Sequence, residues 1–383
     1  MKLINKAALK ETLDAKTNLD MAEAKIGGAV IMVHQDGELV YSETFGSQRV
    51  GGDIPLPVDT MFRLASMTKP ITAVAALICV DRGLFSLDDK IEKYLPEYHD
   101  LEIAHLDESG NIVISGKNPT PPTIKHCLSH SSGIGSMPVG DKLFNMIGDK
   151  SGLTLQKIVD RYATNPIAFE PGKAQFYSPI LGLDVVARII ELVSGMSFDA
   201  FVKKEITEPL GMKDTTFAPT PEQWGRMIGL HNRVDEKSVE VGTPENCVFG
   251  DFPVTYTCGG AGLASTAPDY MIFAEMLLGG GKRGNVRIIS EESAKAMRTP
   301  QLPYEVMPAN QIWGLGVRVI TDESYGRLAV GSFGWSGAYG SHFWIDPENK
   351  VIGIYMKNSC YDGGSGTYTG AMFEHIVTES LNK

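Results

Sequence analysis

The alternation of apolar and polar positions changes character along the chain. The opening segment, MKLINKAALKETLDAKTNLD, is largely polar and reads as an amphipathic helix. From 26 to 46, IGGAVIMVHQDGELVYSETFG places two strand-like apolar runs on either side of Asp36-Gly37, a pair that favours the type I′ turn of a β-hairpin. A loop rich in Gly, Asp and Pro follows at 51–59. The next segment, LASMTKPITAVAAL from 64 to 77, predicts an apolar helix running to about Arg82 and stopped by Gly83. From 84 to about 250 the spacing is mainly helical, with long loops. TIKHCLSHSSGI at 123, LGLDVVARIIELVSG at 181–195 and SFDAFVKKEITEPLGM at 197 carry that pattern. Strand patterns return near 311, where WGLGVRVITD and GRLAVGSFGWSGAYGSHFWIDPENKVIGIYMKN precede a helix from about 367 to 381. The expected ending is strand-strand-strand-helix.

Strands at both chain ends and helices between them imply an α+β fold. One antiparallel sheet is built from the two ends and flanked by the terminal helices, with an all-helical domain inserted. Residues 1–64 and 251–383 would form the sheet domain and 65–250 the mainly helical one, with the ligand cleft at their seam. No internal repeat or low-complexity tract disturbs this division.

Composition narrows the function. The 383 residues are 43% hydrophobic and 21% charged, an ordinary globular balance. The net charge of -11 argues against nucleic acid or an anionic membrane as partner. No run reaches the ~18 apolar residues of a membrane span, and the N-terminus lacks the apolar core of a signal peptide, so a cytoplasmic location is expected. Cysteines 79, 127, 247, 258 and 360 are odd in number, widely spaced and without CxxC, which argues against a disulfide framework or zinc site. Cys79 and Cys127 lie in apolar runs and are expected to be buried. The eight scattered histidines form no ligand pair, and neither metal nor cofactor is expected.

The candidate chemistry lies in Ser66-Met67-Thr68-Lys69. Positions i and i+3 share a helix face, so the serine and lysine face each other. If Ser66 starts the helix, its hydroxyl and free N–H sit at the positive end of the dipole, although an N-cap serine would look the same. Thr154-Leu155-Gln156-Lys157 is a threonine version of the pattern. A serine nucleophile needs a base, and a solvated lysine at pKa ~10.4 is protonated. Met67, Pro70, Ile71 and Val74 would bury Lys69, which favours the free amine. A tyrosine sharing the proton would help, and Tyr177 follows a Pro-Gly turn just ahead of a helical run. A core tyrosine would show the same pattern.

Six blocks in order resemble the β-lactamase-related serine hydrolases. They are FRLASMTK at 62, TIKHCLSHSSGI at 123, PGKAQFYSPILGLDVVARIIELVSG at 171, EPLGMKDTTF at 208, GGAGLASTAPDYMIFAEMLLGGG at 259 and GWSGAYGSHFWIDP at 334. The family includes class C β-lactamases, D-amino-acid-specific peptidases and family VIII carboxylesterases. The resemblance implies Ser66 as nucleophile, with Lys69 as its partner base and Tyr177 as the family's tyrosine; the two together would remove the serine proton, and the sequence does not assign which is the immediate base. It places Trp335-Ser336-Gly337 on the edge strand where β-lactamases carry Lys-Thr-Gly, and it makes the N–H groups of Ser66 and Ala338 the oxyanion hole. His130 would be a structural loop residue, His342 a strand residue and Lys350 a turn residue.

Two departures from the β-lactamase pattern bear on substrate. Pro179 stands where those enzymes have an asparagine that holds the acylamino group. Trp335 stands where they have a cation near the substrate carboxylate. Both losses point to small neutral acyl esters, with Trp335 as an apolar wall and Ser336 and Gly337 beside it. The expected protein is a family VIII-like carboxylesterase. Acyl transfer, amidase, weak β-lactamase or D-amino-acid peptidase activity, and a non-catalytic binding role, are the alternatives. An α/β-hydrolase is disfavoured because no G-x-S-x-G occurs.

Overall fold

The computed structural model describes the chain apart from residues 147–151, 243–255, 304–308, 365–366 and 382–383. Helix α1 (Lys6–Ala22) begins at Asn5, whose side chain accepts the Ala8 N–H at 3.1 Å. Strands β1 (Gly28–Gln35) and β2 (Glu38–Gly46) form the expected hairpin, with Asp36 and Gly37 both at positive φ. Near the other end come β3 (Gln311–Trp313), β4 (Arg318–Ile320), β5 (Phe333–Ser336), β6 (His342–Asp346) and β7 (Val351–Met356). All seven form one antiparallel sheet in the order β3-β4-β5-β6-β7-β1-β2. The chain ends therefore meet inside the sheet, where Ile31 lies opposite Tyr355. Lys350 occupies the β6–β7 turn at φ 52° and pairs with Asp36 at 2.7 Å.

Side chains alternate across a strand, and both faces of this sheet are covered. Ala29, Ile31 and Val33 of β1, with Trp344, Val351 and Tyr355, pack on one face against Leu9 and Leu13 of α1 and Phe373 and Val377 of a C-terminal helix at Tyr368–Glu379. Val30, Met32, Phe343, Ile345, Ile352 and Ile354 enter the other core. Double burial is why β1, β6 and β7 read as continuous apolar runs.

That second core also holds α2 (Lys69–Asp81), in which every side chain from Lys69 to Cys79 is buried. A helix apolar on all sides belongs inside a core. Helix α3 (Leu181–Ser194) packs beside it and ends at Gly195, φ 68°. Helix α4 (Ala267–Leu278) lies against β1 and β7, and the Tyr368–Glu379 helix is α5. Cys79 and Cys127 are buried as expected. Cys247 and the expected boundary at 250/251 lie outside the described residues.

The middle of the chain is not purely helical. It carries a hairpin pairing Glu102–Leu106 with Ile112–Lys117 and another pairing Leu230–Val234 with Lys237–Gly242. The second turns at Asp235 and Glu236, both at positive φ and neither a glycine, so the usual turn signal is missing. The chain's ending holds five strands rather than three, because β3 and β4 are only three residues long.

Behind β5 and β6 lies a buried ionic cluster. Glu374 of α5 accepts from Arg318 at 2.7 Å, Tyr325 at 2.8 Å, Arg327 at 3.0 Å and His342 at 3.1 Å. Burial pushes its carboxyl up, but the His342 and Arg318 contacts outweigh that and hold it far below the usual range. With the folded value depressed, its contribution is full above the unfolded value of about 4.3 and fades as pH falls below it. Glu374→Ala would leave Arg318 buried and unpaired. Unfolding in urea should show a loss of about 3–5 kcal/mol; a loss no greater than that of a surface charge would remove the cluster from the stability of this face.

Candidate active site

Ser66 does not open the α-helix. It sits in a 3-10 turn at Ala65–Thr68, and α2 begins at Lys69, with Pro70 in its first turn. Ala65 is buried in the left-handed region at φ 45°, a conformation a Cβ resists and the packing must enforce. The end of β5 presses on this turn. A Cβ on Gly337 would fall 2.3 Å from the Leu64 carbonyl oxygen, so only glycine permits the approach.

Lys69 is wholly buried. Its Nζ lies 3.2 Å from Ser66 Oγ, donates to the Gly260 carbonyl at 2.8 Å, and donates also to the Pro179 carbonyl. Tyr177 completes the group. Its hydroxyl is 2.7 Å from Ser66 Oγ, and its ring centroid is 4.9 Å from Lys69 Nζ. The three residues joined by the sequence reading therefore meet at one oxygen, Ser66 Oγ.

Aromatic rings fix Tyr177. Trp313 stacks on it at 5.7 Å with 16° between planes, His130 lies at 4.8 Å and Trp335 at 5.3 Å. Trp313 is itself clamped by Gln175, which accepts its backbone N–H at 3.2 Å and donates to its carbonyl at 3.4 Å. His130 is buried, and its Nδ1 accepts the Ser178 N–H at 3.1 Å, which leaves the proton on Nε2. Burial and then the nearby Lys69 push its pKa well below the usual value, so it stays neutral. That agrees with a structural loop role.

Along β5 the expected contacts divide. Trp335 faces the site, and its indole N–H donates to the Tyr177 hydroxyl at 3.2 Å. Ser336, expected among the substrate contacts, faces the other side of the sheet. It is buried, with Oγ 2.7 Å from His342 Nδ1, because neighbouring residues of a strand point to opposite faces. Gly337 serves the backbone approach. Among the described residues, no acceptor meets the backbone N–H of Ser66 or of Ala338.

The profile of the beta-lactamase family matches residues 13–371. The chain belongs to this family. Esterase EstB of Burkholderia gladioli is 29% identical over 400 aligned residues, which cover 97% of this chain and 96% of that protein. Acyltransferase calJ of Penicillium decumbens is 29% identical, covering 83% and 81%. The solved structure of EstCE1, titled a hydrolase with promiscuous acyltransferase activity, superposes with a TM-score of 0.80 at 22% identity over 98% of both chains. No helix among the described residues is long and apolar enough to cross a membrane.

Sequence reasoning missed several residues of this beta-lactamase-family site. Trp313 opens WGLGV, where the aromatic could have been weighed. The carbonyls of Pro179 and Gly260 carry no side-chain signal at all. Nor did the pattern disclose that Trp335 would turn its N–H onto Tyr177.

Trp335→Phe keeps a ring and deletes that N–H. The rate at which the protein reacts with a fluorophosphonate probe should fall about 10-fold, the worth of one hydrogen bond to the phenol oxygen. A rate equal to wild type would reduce Trp335 to packing.

Proposed function

We propose that the protein is a serine carboxylesterase of the family VIII kind, acting on small neutral acyl esters through an acyl-enzyme on Ser66. The observation that carries this is the set of partners around Lys69 Nζ. A neutral amine has two N–H donors and one lone pair. The Pro179 and Gly260 carbonyls take the two donors. In that free-amine form, which taking the Ser66 proton requires, the lone pair faces the Ser66 hydroxyl 3.2 Å away; an ammonium would turn its third N–H to the same oxygen.

In this mechanism Ser66 Oγ attacks the ester carbonyl as its proton passes to Lys69. The developing oxyanion is received by the free N–H groups of Ser66 and Ala338, a pair of donors worth ~3 kcal/mol each in comparable enzymes. Tyr177, whose hydroxyl already reaches Ser66 Oγ, delivers its proton to the departing alkoxide and is reprotonated from Lys69. Water then attacks the acyl-enzyme, with the same groups working in reverse. No step calls on a metal or cofactor. The whole-length likeness to Esterase EstB supports ester hydrolysis. The likeness to Acyltransferase calJ favours a second reading, in which an alcohol replaces water at the acyl-enzyme.

Substrate preference follows from the wall. The Trp335 indole is a neutral donor already engaged by Tyr177, and Pro179 offers only its carbonyl, which Lys69 occupies. A carboxylate entering the cleft would lose water without a charged partner to replace it.

Ser66→Ala should lose about a thousandfold or more in kcat/KM for a short nitrophenyl ester while its melting curve stays unchanged. Wild type should prefer that ester over a cephalosporin by about 10- to 100-fold in kcat/KM, the cost of one missing charge-assisted hydrogen bond. Equal turnover of the two would replace the esterase reading with a β-lactamase.

A further inference from the structure

We infer that Asp184 is a positioning residue for Lys69, and that the two groups compete for one proton through the Gly259-Gly260 loop; the inference rests on Lys69 acting as the base. Asp184 stands in the first turn of α3 and is wholly buried. A carboxyl group so placed is costly unless its oxygens are engaged. One oxygen accepts the Gly260 N–H at 3.2 Å, and the other accepts the Tyr256 hydroxyl. Gly260 in turn offers its carbonyl to Lys69 at 2.8 Å, and the Gly259 carbonyl takes the Thr72 hydroxyl at 2.6 Å. Asp184 thus holds the loop that holds the lysine.

The two glycines make this route possible. A Cβ at 260 would fall 2.8 Å from the Ile180 backbone, and one at 259 would fall 2.8 Å from Ala187 Cβ. The GGAG stretch is needed so that the backbone can pass between α2 and α3.

The groups facing Asp184 are Tyr256 and Cys258 from the loop and Lys69 from α2. Those facing Lys69 are Ser66, Tyr177, His130, Cys258 and Asp184. Burial pushes the Cys258 thiol well up and the His130 imidazole well down, so both are neutral. Burial also pushes the Asp184 carboxyl up to about 7, against the opposing pull of the Gly260 N–H, Cys258 and Lys69. Ionised Asp184 favours the ammonium of Lys69 and idles the base. Protonated Asp184 favours the free amine.

The test is the pH dependence of kcat/KM for a short nitrophenyl ester in wild type, Asp184→Asn and Tyr256→Phe. Asparagine keeps the shape and the acceptor for the Gly260 N–H and removes the charge. Its acidic limb should move to lower pH by about one unit, with KM unchanged. Tyr256→Phe removes a donor to the carboxylate, makes Asp184 hold its proton more firmly, and should move the limb the same way by less. A purely structural role would lower rate or stability and leave the limb in place; an unmoved limb in both variants overturns the inference. If Asp184→Asn does not fold, the Tyr256→Phe limb alone decides. Lys69→Ala that hydrolyses the ester as fast as wild type would overturn the reading of the base, and this inference with it.

Discussion

A lysine taken wholly out of water is the constraint around which this molecule is arranged. Removing an ammonium from solvent costs several kcal/mol, and a neutral amine still needs acceptors for its two N–H groups. Lys69 makes no ion pair with a carboxylate among the described residues, so backbone carbonyls have to serve. They come from Pro179, just before α3, and Gly260, in the loop that leads toward α4. Meeting both forces α3 alongside α2 and draws the 258–262 loop between them. The same burial demands that α2 be mostly apolar, and from Lys69 to Cys79 only Lys69 and Thr72 are polar. The packing of the middle of the chain and the placement of Lys69 against Ser66 are therefore one problem with one solution.

The sheet supplies the opposite wall, and its rigidity has a separate origin. β5 must bring Trp335 to Tyr177 and Gly337 to Leu64 with little tolerance. Its far side is tied through Ser336 to His342 and from there to Glu374. Glu374 binds Arg318 of β4 and Arg327 as well. A buried charge cluster of this kind is a weak source of net stability and a strong source of fixed geometry when every member is bonded. Ser336 thus serves the cleft from behind the sheet, without lining it.

The features legible in the sequence are those in which one residue type has one physical use. Asp36-Gly37 specified a turn because few residues tolerate positive φ at both positions. Double-faced burial left the runs of β1, β6 and β7 unmistakable. Ser66, Lys69 and Tyr177 stood out through their ordered context. The hairpin turning at Asp235-Glu236 was illegible because tertiary packing, and no glycine, holds its φ values. Ser66 lying in a 3-10 turn depends on the strained Ala65, which no propensity announces. Carbonyl acceptors, such as those of Pro179 and Gly260, belong to every residue alike and leave no mark in a sequence.

The indole of Trp335 separates two tasks that a cation at the same place would join. A cation in place of the indole would fix the phenol oxygen and would also draw an anionic substrate into the cleft. An indole N–H directed at the phenol oxygen retains the first effect, because it holds that oxygen 2.7 Å from Ser66 Oγ. It contributes little to the second, because it carries no net charge and its one donor is already taken. Tyr177 is then held in place by neighbours that are neutral: the N–H of Trp335, the stacked ring of Trp313 and an imidazole kept uncharged by burial. With Tyr177 positioned by neutral groups, the cleft wall formed by Trp335 is left to act by shape and apolar contact. Such a division of labour suits the neutral acyl esters proposed as substrates.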